Sequence, residues 1–282
     1  MIGRALLLAL VTALISPAAS AGEAIAYLES LKGKSAPYIA PSDIDPRFTM
    51  ALYVNVATKG ANKQRMWMLE RESLGSGWRL SMWDEAHWKK AKLAAGEAPP
   101  YSWPVSSGRG YPGDKKSGPT PPGVYGIDER KGRYGYGWMQ DGMINVLHID
   151  YHYAGGRMSG VAFHGTTAGR YRRLGTNDSH GCIRMHQKNA LRVLDRLTGR
   201  DKALAEDMRW GEIPRFWRAE KGRTRMGYVR DGSYLSELPD AVAEMAHPSE
   251  VAFVSEAEAA APAPGDILVK TGFRALAVIF MD

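Results

Sequence analysis

Cysteine is nearly absent from this chain, because Cys182 is the only one among 282 residues. The chain can therefore form no internal disulfide. Beyond the N-terminal segment, no stretch is apolar enough for the ~20-residue span that a membrane helix needs. Basic residues occur as scattered pairs, such as Lys89-Lys90 and Arg172-Arg173, without one dense run. These absences disfavour a disulfide scaffold, a chain with further membrane spans and a nucleic-acid-binding protein.

The composition is that of a folded globular protein. Hydrophobic residues make up 44% of the chain and include eight tryptophans, enough for a sizeable core. The formal net charge is +7. A basic protein of this kind is suited to polyanionic surfaces such as a cell wall or anionic lipid.

The N-terminus has the pattern of a secretory signal peptide. Arg4 precedes an apolar run over residues 5–15, and small residues follow at 18–21. The alternative is an N-terminal anchor helix, but the run is shorter than a bilayer span requires. We therefore expect residues 1–21 to be removed and the mature chain to begin near Gly22, outside the cytoplasm. Without Arg4 its net charge would be +6, because 7 − 1 = 6 and residues 1–21 contain no acid.

The hydrophobic pattern predicts a mainly β fold with short helices. Short alternating runs separated by turn residues fill residues 50–165 and indicate a β-sandwich or barrel. Residues 188–197 have a helical period, with Gly199 as a C-terminal cap. Signals beyond residue 200 are weaker and mixed helical, and residues 266–281 resemble a final strand or hairpin. The predicted organisation is a signal peptide (1–21), a lead-in with a short helix (22–49), a catalytic domain (50–200) and a C-terminal extension (201–282) with an Ala/Glu/Pro linker near 256–264.

The reactive residues cluster around the single thiol. Cys182 follows His180 and Gly181, and His164 lies 18 residues upstream. A thiolate is a strong nucleophile, and a nearby imidazole can generate it. We place Cys182 in the loop leading into the predicted helix, whose N-terminus favours the thiolate if the thiol lies within one turn of it. The alternative is that Cys182 is a small buried apolar residue.

The complete motif is more specific. His164 followed by the run S-H-G-C-I-R at 179–184 resembles the active-site signature of the L,D-transpeptidases, the YkuD-like family. Residues 105–108 (V-S-S-G) and 120–125 (T-P-P-G-V-Y) are similar to two further family segments upstream. The gap between these segments is longer and richer in lysine than the family pattern, and Ser107 replaces the usual threonine. The resemblance covers about residues 50–200.

The resemblance implies a YkuD-like β-sandwich and a set of roles. Cys182 would attack an L,D peptide bond of a peptidoglycan stem, and His164 would be its base, oriented by the backbone carbonyl of Gly165. His180 and the amides of Gly181 and Cys182 would line the oxyanion hole. The family also implies no cofactor, export across the inner membrane to the periplasm or cell wall, and a part in cell-wall biogenesis and cell shape.

Two further residues have open assignments. By resemblance Arg184 would lie near the acyl-donor pocket, where a guanidinium can hold a carboxylate, but it could instead pin the loop by a salt bridge. Ser179 could bind substrate or serve as a structural capping group. The glycine-rich loop at 108–122 is expected to form a rim of the cleft, with Lys115 and Lys116 steering anionic stems. The alternative is a solvated turn remote from the site.

The sequence leaves alternative functions open, which differ in the acceptor or in the kind of site. The acyl-enzyme could pass to an amine of another stem, of a protein or of a lipoprotein, or to water, which would make the enzyme an L,D-carboxypeptidase or amidase. His148 and His152, with His164 and His180, could bind zinc in a peptidase, although no HExxH motif is present. A non-catalytic wall-binding module would need Cys182 to be dispensable.

Overall fold

The computed structural model describes residues 17–34, 38–80, 101–114, 117–128, 142–153, 159–200, 204–220, 223–227 and 267–282. Most of the predicted signal peptide, the linker near 256–264 and both Lys115 and Lys116 lie outside these residues. Within the described ranges, no helix has the length and apolar character needed to cross a membrane.

Strands dominate the described structure, and the helices are few and short. The helices are α1 (Pro17–Ser30), α2 (Gln187–Thr198) and α3 (Glu206–Arg209), with 3₁₀ turns at Pro41–Asp43 and Ala168–Arg173. The strands are β1 (Met50–Asn55), β2 (Arg65–Glu70), β3 (Arg79–Leu80), β4 (Ser102–Pro104), β5 (Gly123–Asp128), β6 (Leu147–Ile149), β7 (Tyr151–Tyr153), β8 (Ala162–Gly165), β9 (Ile183–Met185), β10 (Trp210–Glu220), β11 (Arg223–Gly227), β12 (Ile267–Phe273) and β13 (Ala275–Phe280). The predicted fold class, mainly β with short helices, is confirmed.

The larger sheet is built around two strands from opposite ends of the chain. Its order is β3-β2-β1-β13-β5-β6-β8-β9, with β4 paired to β2. β1 and β13 are parallel neighbours, and Met50 lies opposite Ala275. Every residue of both strands is buried, which fits the almost continuous apolar sequences of strands covered on both faces.

Helix α2 covers one face of this sheet. Its apolar residues Ala190, Val193, Leu194 and Leu197 pack with alternate residues of β1 and β13. Arg196 of α2 makes two hydrogen bonds to the carboxylate of Glu70 in β2, at 2.5 and 2.8 Å, and both side chains are buried. The helix predicted over 188–197 is thus confirmed, and Gly199 ends it with a left-handed φ of 76°.

The predicted lead-in covers the opposite face. A second apolar cluster joins the other residues of β1 and β13 to this segment, which contributes Leu28, Leu31, Tyr38, Ile39, Ile44 and Phe48. The hydroxyl of Tyr53 in β1 donates to the carbonyl of Ile39 at 2.8 Å. The helix expected in this segment is α1, which spans Pro17–Ser30 and therefore runs across the predicted cleavage position.

The described residues after 200 are mostly in strands, so the expectation of mixed helical structure is wrong for β10 and β11. These strands form a second sheet in the order β12-β10-β11-β7. β12 and β13 belong to different sheets, so residues 266–281 do not form a hairpin. β13 lies between β1 and β5 in the larger sheet.

Candidate active site

Two parallel strands bring the thiol and one histidine together. β8 pairs with β9, with His164 opposite Arg184 and Phe163 opposite Ile183. Phe163 and Ile183 enter the core, and side chains alternate between faces along a strand. His164 and Arg184 therefore occupy the other face. Cys182 directly precedes β9, and we infer from the same alternation that it lies on this face near His164. The pairing of β8 with β9 thus brings the segments around His164 and Cys182, which are 18 residues apart in the sequence, next to each other.

His164 is held in one tautomer. Its residue is 1% exposed, and Nδ1 lies 2.6 Å from the carbonyl oxygen of Gly165. A carbonyl can only accept, so Nδ1 carries the hydrogen and donates it. Nε2 is buried and finds no hydrogen-bond partner among the described residues. Burial lowers the pKa of His164 to about 4, so the imidazole is neutral near pH 7 and offers its free lone pair at Nε2.

Gly165 is needed for close packing as well as for its carbonyl. A Cβ at this position would meet Oε1 of Gln187 at 1.9 Å. Gln187 is in turn fixed, since its Nε2 donates to the carbonyl of Gly142 at 2.6 Å. Gln187 was not predicted from the sequence, and only its position directly after the motif would have suggested it. The absence of a side chain at Gly165 thus allows the first turn of α2 to pack beside His164.

The thiol of Cys182 is protonated in the free protein. Burial raises the pKa of Cys182 to about 11, and Sγ donates to the carbonyl of Gly160 at 3.4 Å. Strand β9 separates Cys182 from α2, which begins at Gln187. The helix N-terminus therefore lies beyond one turn from the thiol and does not favour the thiolate, which corrects the sequence-based expectation. A thiol with a raised pKa needs a base in order to react as a nucleophile near neutral pH.

The backbone turns sharply just before the thiol. Gly181 has a φ of 152°, a value that residues with a side chain rarely adopt. In the described part of the chain, neither the amide of Gly181 nor that of Cys182 donates to a backbone carbonyl. Two adjacent free N–H groups beside a nucleophile form an arrangement that can stabilise an oxyanion.

His180, two residues before Cys182, has a half-exposed side chain. Its ring stacks on Tyr111, with 4.5 Å between ring centroids and 23° between planes. Its Nε2 lies 3.6 Å from Oδ2 of Asp114, and its side chain is 51% exposed. Sequence reasoning missed Tyr111 and Asp114, which lie in the glycine-rich loop more than 60 residues away. An aromatic residue among glycines and prolines was the only available signal.

Arg184 and Ser179 are buried and make hydrogen bonds within the protein. Arg184 is 7% exposed, and its Nη1 donates to the carbonyl of Asp178 at 2.7 Å. Ser179 is 1% exposed, its amide donates to the carbonyl of Ser107, and its carbonyl accepts from Arg109. The contact of Arg184 supports a structural role for that residue, with a backbone carbonyl rather than a carboxylate as partner. The contacts of Ser179 involve only its backbone, so both assignments of its hydroxyl stay predictions.

Both ends of the glycine-rich loop adjoin the motif. The amide of Gly118 donates to the carbonyl of His180 at 2.9 Å. A Cβ on Gly108 would come within 2.5 Å of Cα of Gly181, so only glycine allows this approach. The loop is therefore next to the site at both ends, while the steering role of Lys115 and Lys116 remains a prediction outside the described residues.

The zinc alternative relied on His148 and His152 sharing one face of a strand. The structure places His148 in β6 and His152 in β7, and these strands pair in different sheets. Across the residues that the structure describes, no group of three or more His, Cys, Asp or Glu side chains could hold a metal ion.

Residues 89–237 match the family model of YkuD, the L,D-transpeptidase catalytic domain. This match covers more than half of the chain. The chain belongs to the YkuD family. The resemblance expected from the sequence is thereby confirmed, and the matched range extends past residue 200, the predicted end of the catalytic domain. Comparison with curated proteins gives no match.

Similar solved structures include two wall-related proteins. One is the L,D-transpeptidase LdtMt1 in complex with imipenem, 15% identical, covering 53% of this chain and 55% of that chain, with a TM-score of 0.30. The other is a fused Zn-dependent amidase/peptidase/peptidoglycan-binding domain-containing protein from Clostridium acetobutylicum ATCC 824. It is 16% identical, covers 64% of this chain and 56% of that chain, and has a TM-score of 0.29. This YkuD-family chain thus spans about half the length of each structure, and the family assignment rests on the sequence match.

Proposed function

We propose that this YkuD-family enzyme is a cysteine-dependent L,D-transpeptidase that acts on peptidoglycan stem peptides. One observation carries the proposal: His164 is buried with Nδ1 bound to the Gly165 carbonyl and Nε2 free, on the strand that pairs with β9, which directly follows Cys182. This is the arrangement of a general base beside a nucleophile.

In the acylation step, Nε2 of His164 takes the proton of Cys182 as Sγ attacks the carbonyl carbon of an L,D peptide bond. The Sγ–C bond forms, and the amides of Gly181 and Cys182 bind the resulting oxyanion. The peptide C–N bond then breaks, and His164 returns the proton to the leaving amine. The raised pKa of Cys182 and the lowered pKa of His164 favour a neutral pair at rest, so proton transfer accompanies the attack.

In the second step an amine acceptor attacks the thioester. His164 takes a proton from this amine and the sulfur leaves as the thiol. An acceptor amine on another stem gives a cross-link, and one on a protein or lipoprotein gives attachment to the wall. Water as acceptor gives L,D-carboxypeptidase or amidase activity with the same residues, and the acceptor depends on pocket shape and water exclusion.

The proposed location is the periplasm or cell wall, after removal of residues 1–21. The basic net charge of the chain suits the polyanionic wall. A fractionation experiment that compares full-length protein with a variant starting at Gly22 tests this location, and N-terminal sequencing of the exported form tests the cleavage position.

The deciding experiment pairs Cys182→Ala with wild type. We expect a carbapenem such as imipenem to add covalently to wild type only, as seen by intact-protein mass spectrometry. Muropeptide analysis of isolated wall material treated with each protein then identifies the acceptor: cross-linked products indicate transpeptidation and shortened stems indicate hydrolysis. An adduct on the folded alanine variant would contradict the assignment of the nucleophile.

A further inference from the structure

The two amides proposed for the oxyanion hole belong to two consecutive peptide units. The His180–Gly181 unit carries the amide of Gly181, and the Gly181–Cys182 unit carries the amide of Cys182. A trans peptide unit is planar, so its C=O and its N–H point in opposite directions. Any group that holds the carbonyl of such a unit therefore also sets the direction of its amide.

Both carbonyls are held by one short segment, residues 118–120. The amide of Gly118 donates to the carbonyl of His180 at 2.9 Å. The hydroxyl of Thr120 donates to the carbonyl of Gly181 at 2.8 Å and accepts from the amide of Gly108 at 2.7 Å. The Thr120 hydroxyl thus donates its only proton to the Gly181 carbonyl and accepts from the Gly108 amide through a lone pair.

Burial makes this hydroxyl difficult to replace. Thr120 is only 2% exposed, so solvent has little access to the carbonyl that it holds. Gly108 packs against the backbone of Gly181, leaving no space for a Cβ. The conformation of Gly181, with its φ of 152°, is therefore fixed by the hydrogen bond to its carbonyl and by the packing of Gly108 against it.

We propose that Thr120 is a positioning residue for the oxyanion hole. Its hydroxyl orients the Gly181–Cys182 peptide unit so that the Cys182 amide faces the carbonyl oxygen of the acyl donor. This inference rests on the proposed function, because it assigns a direction to an amide that only acyl transfer uses. Thr120 itself touches neither the substrate nor the sulfur.

The test separates chemistry that builds an oxyanion from chemistry that does not. Acylation of Cys182 by a carbapenem passes through a tetrahedral oxyanion, whereas alkylation by iodoacetamide is a direct displacement at carbon. Thr120→Val keeps the shape of the side chain but removes the hydroxyl, and Thr120→Ser restores the hydroxyl. Thr49→Val is a matched control, since Thr49 is 1% exposed and its hydroxyl donates to the carbonyl of Met208.

We expect Thr120→Val to lower the acylation rate about tenfold or more, since losing a whole oxyanion donor typically costs ~10²–10³. Alkylation should change less than about twofold. Thr120→Ser and Thr49→Val should acylate at rates close to wild type. If the valine variant does not fold, as judged by thermal unfolding, Thr120→Ala replaces it with the same expected result.

Several results would overturn the inference. Unchanged acylation in the hydroxyl-free variant, an equal loss of acylation and alkylation, or a serine variant as slow as the valine variant each removes the special role of the hydroxyl. A wild-type protein that forms no carbapenem adduct overturns both the proposed function and this inference. An adduct on wild type together with unchanged acylation in Thr120→Val overturns the inference alone.

Discussion

The two histidines that flank Cys182 lie in opposite environments. His164, on strand β8, is 1% exposed and bound through Nδ1 to a backbone carbonyl. His180, in the loop before the thiol, has a side chain that is 51% exposed, stacked on Tyr111 and close to Asp114. His164 is part of the larger sheet, whereas His180 lies where the segment before Cys182 contacts the glycine-rich loop.

This difference fits the different roles that we propose for the two histidines. Burial keeps His164 neutral and its Nε2 available, which is what a general base needs. The stacked ring of His180 instead connects the thiol segment to the glycine-rich loop. The family resemblance implied that His180 lines the oxyanion hole, and its described contacts suit holding the loop next to that hole.

The largest effect is expected from the buried histidine. His164→Ala should reduce the rate of carbapenem acylation by about 10² or more, the usual contribution of a general base. His180→Ala is the matched control, and its loss should be much smaller. The measurement is adduct formation against time by mass spectrometry.

Equal and mild losses in both variants would contradict the comparison. A different base would then act on Cys182, and His186 or His148 would be the next residues to replace. Because both variants exchange a histidine for alanine, thermal unfolding of each distinguishes a lost base from a lost fold.

The pH dependence sharpens the same comparison. Acylation needs neutral His164, so its rate should fall about tenfold per pH unit below pH 4, where the imidazole becomes protonated. If the acylation rate instead began to fall near pH 6.5, an exposed histidine would be the base. Alkylation of Cys182 by iodoacetamide should increase with pH up to about 11, because the thiolate forms only there.

Protein stability should follow these pKa values. The pKa of His164 is lowered from 6.5 to about 4 by burial, so between those values the unfolded state binds the extra proton and stability decreases as the pH falls. The pKa of Cys182 is raised from 9.0 to about 11, so stability decreases as the pH rises through that interval. Denaturant unfolding at several pH values, with Cys182→Ala as control, measures both slopes.

The sequence predicted local features better than distant pairings. The alternating runs and turn residues within 50–165 predicted short strands there, and the structure shows β1 and β2 as an antiparallel pair. The parallel pairing of β1 with β13 joins residues about 225 positions apart, which local patterns do not encode. Strand β10 was missed because its sequence mixes charged residues with Pro214 and lacks clear alternation.

The site shows the same limit. The motif predicted roles for Cys182, His164 and the Gly165 carbonyl; the structure shows the contact between His164 and that carbonyl, and the roles themselves stay predictions. The contacts of Tyr111 and Thr120 depend on where a long loop returns, and no residue spacing gives that. The help that the thiolate was expected to receive from a helix N-terminus is missing, because the three-residue strand β9 lies between Cys182 and α2.

The smallest expected effect concerns the exposed stack. Tyr111→Leu and His180→Ala should each lower the acylation rate a few-fold, and the double variant should lose little more than either single variant. Stacked aromatic pairs contribute about 0.5–1.5 kcal/mol, which corresponds to a coupling of roughly two- to tenfold in rate if the contact is used in acylation. A double-mutant cycle of carbapenem acylation rates measures this coupling.

The protein provides an internal control for that cycle. Tyr171 and His186 form a second tyrosine–histidine stack, with 4.0 Å between ring centroids, and His186 also caps α2 by accepting from the amide of Lys188. Tyr171→Leu removes a stack of the same chemistry that does not include a residue of the thiol loop, so it should lower stability and leave the acylation rate near wild type. Additive losses for Tyr111→Leu and His180→Ala, or an equal loss of acylation in Tyr171→Leu, would show that the stack on His180 has no particular part in positioning the site.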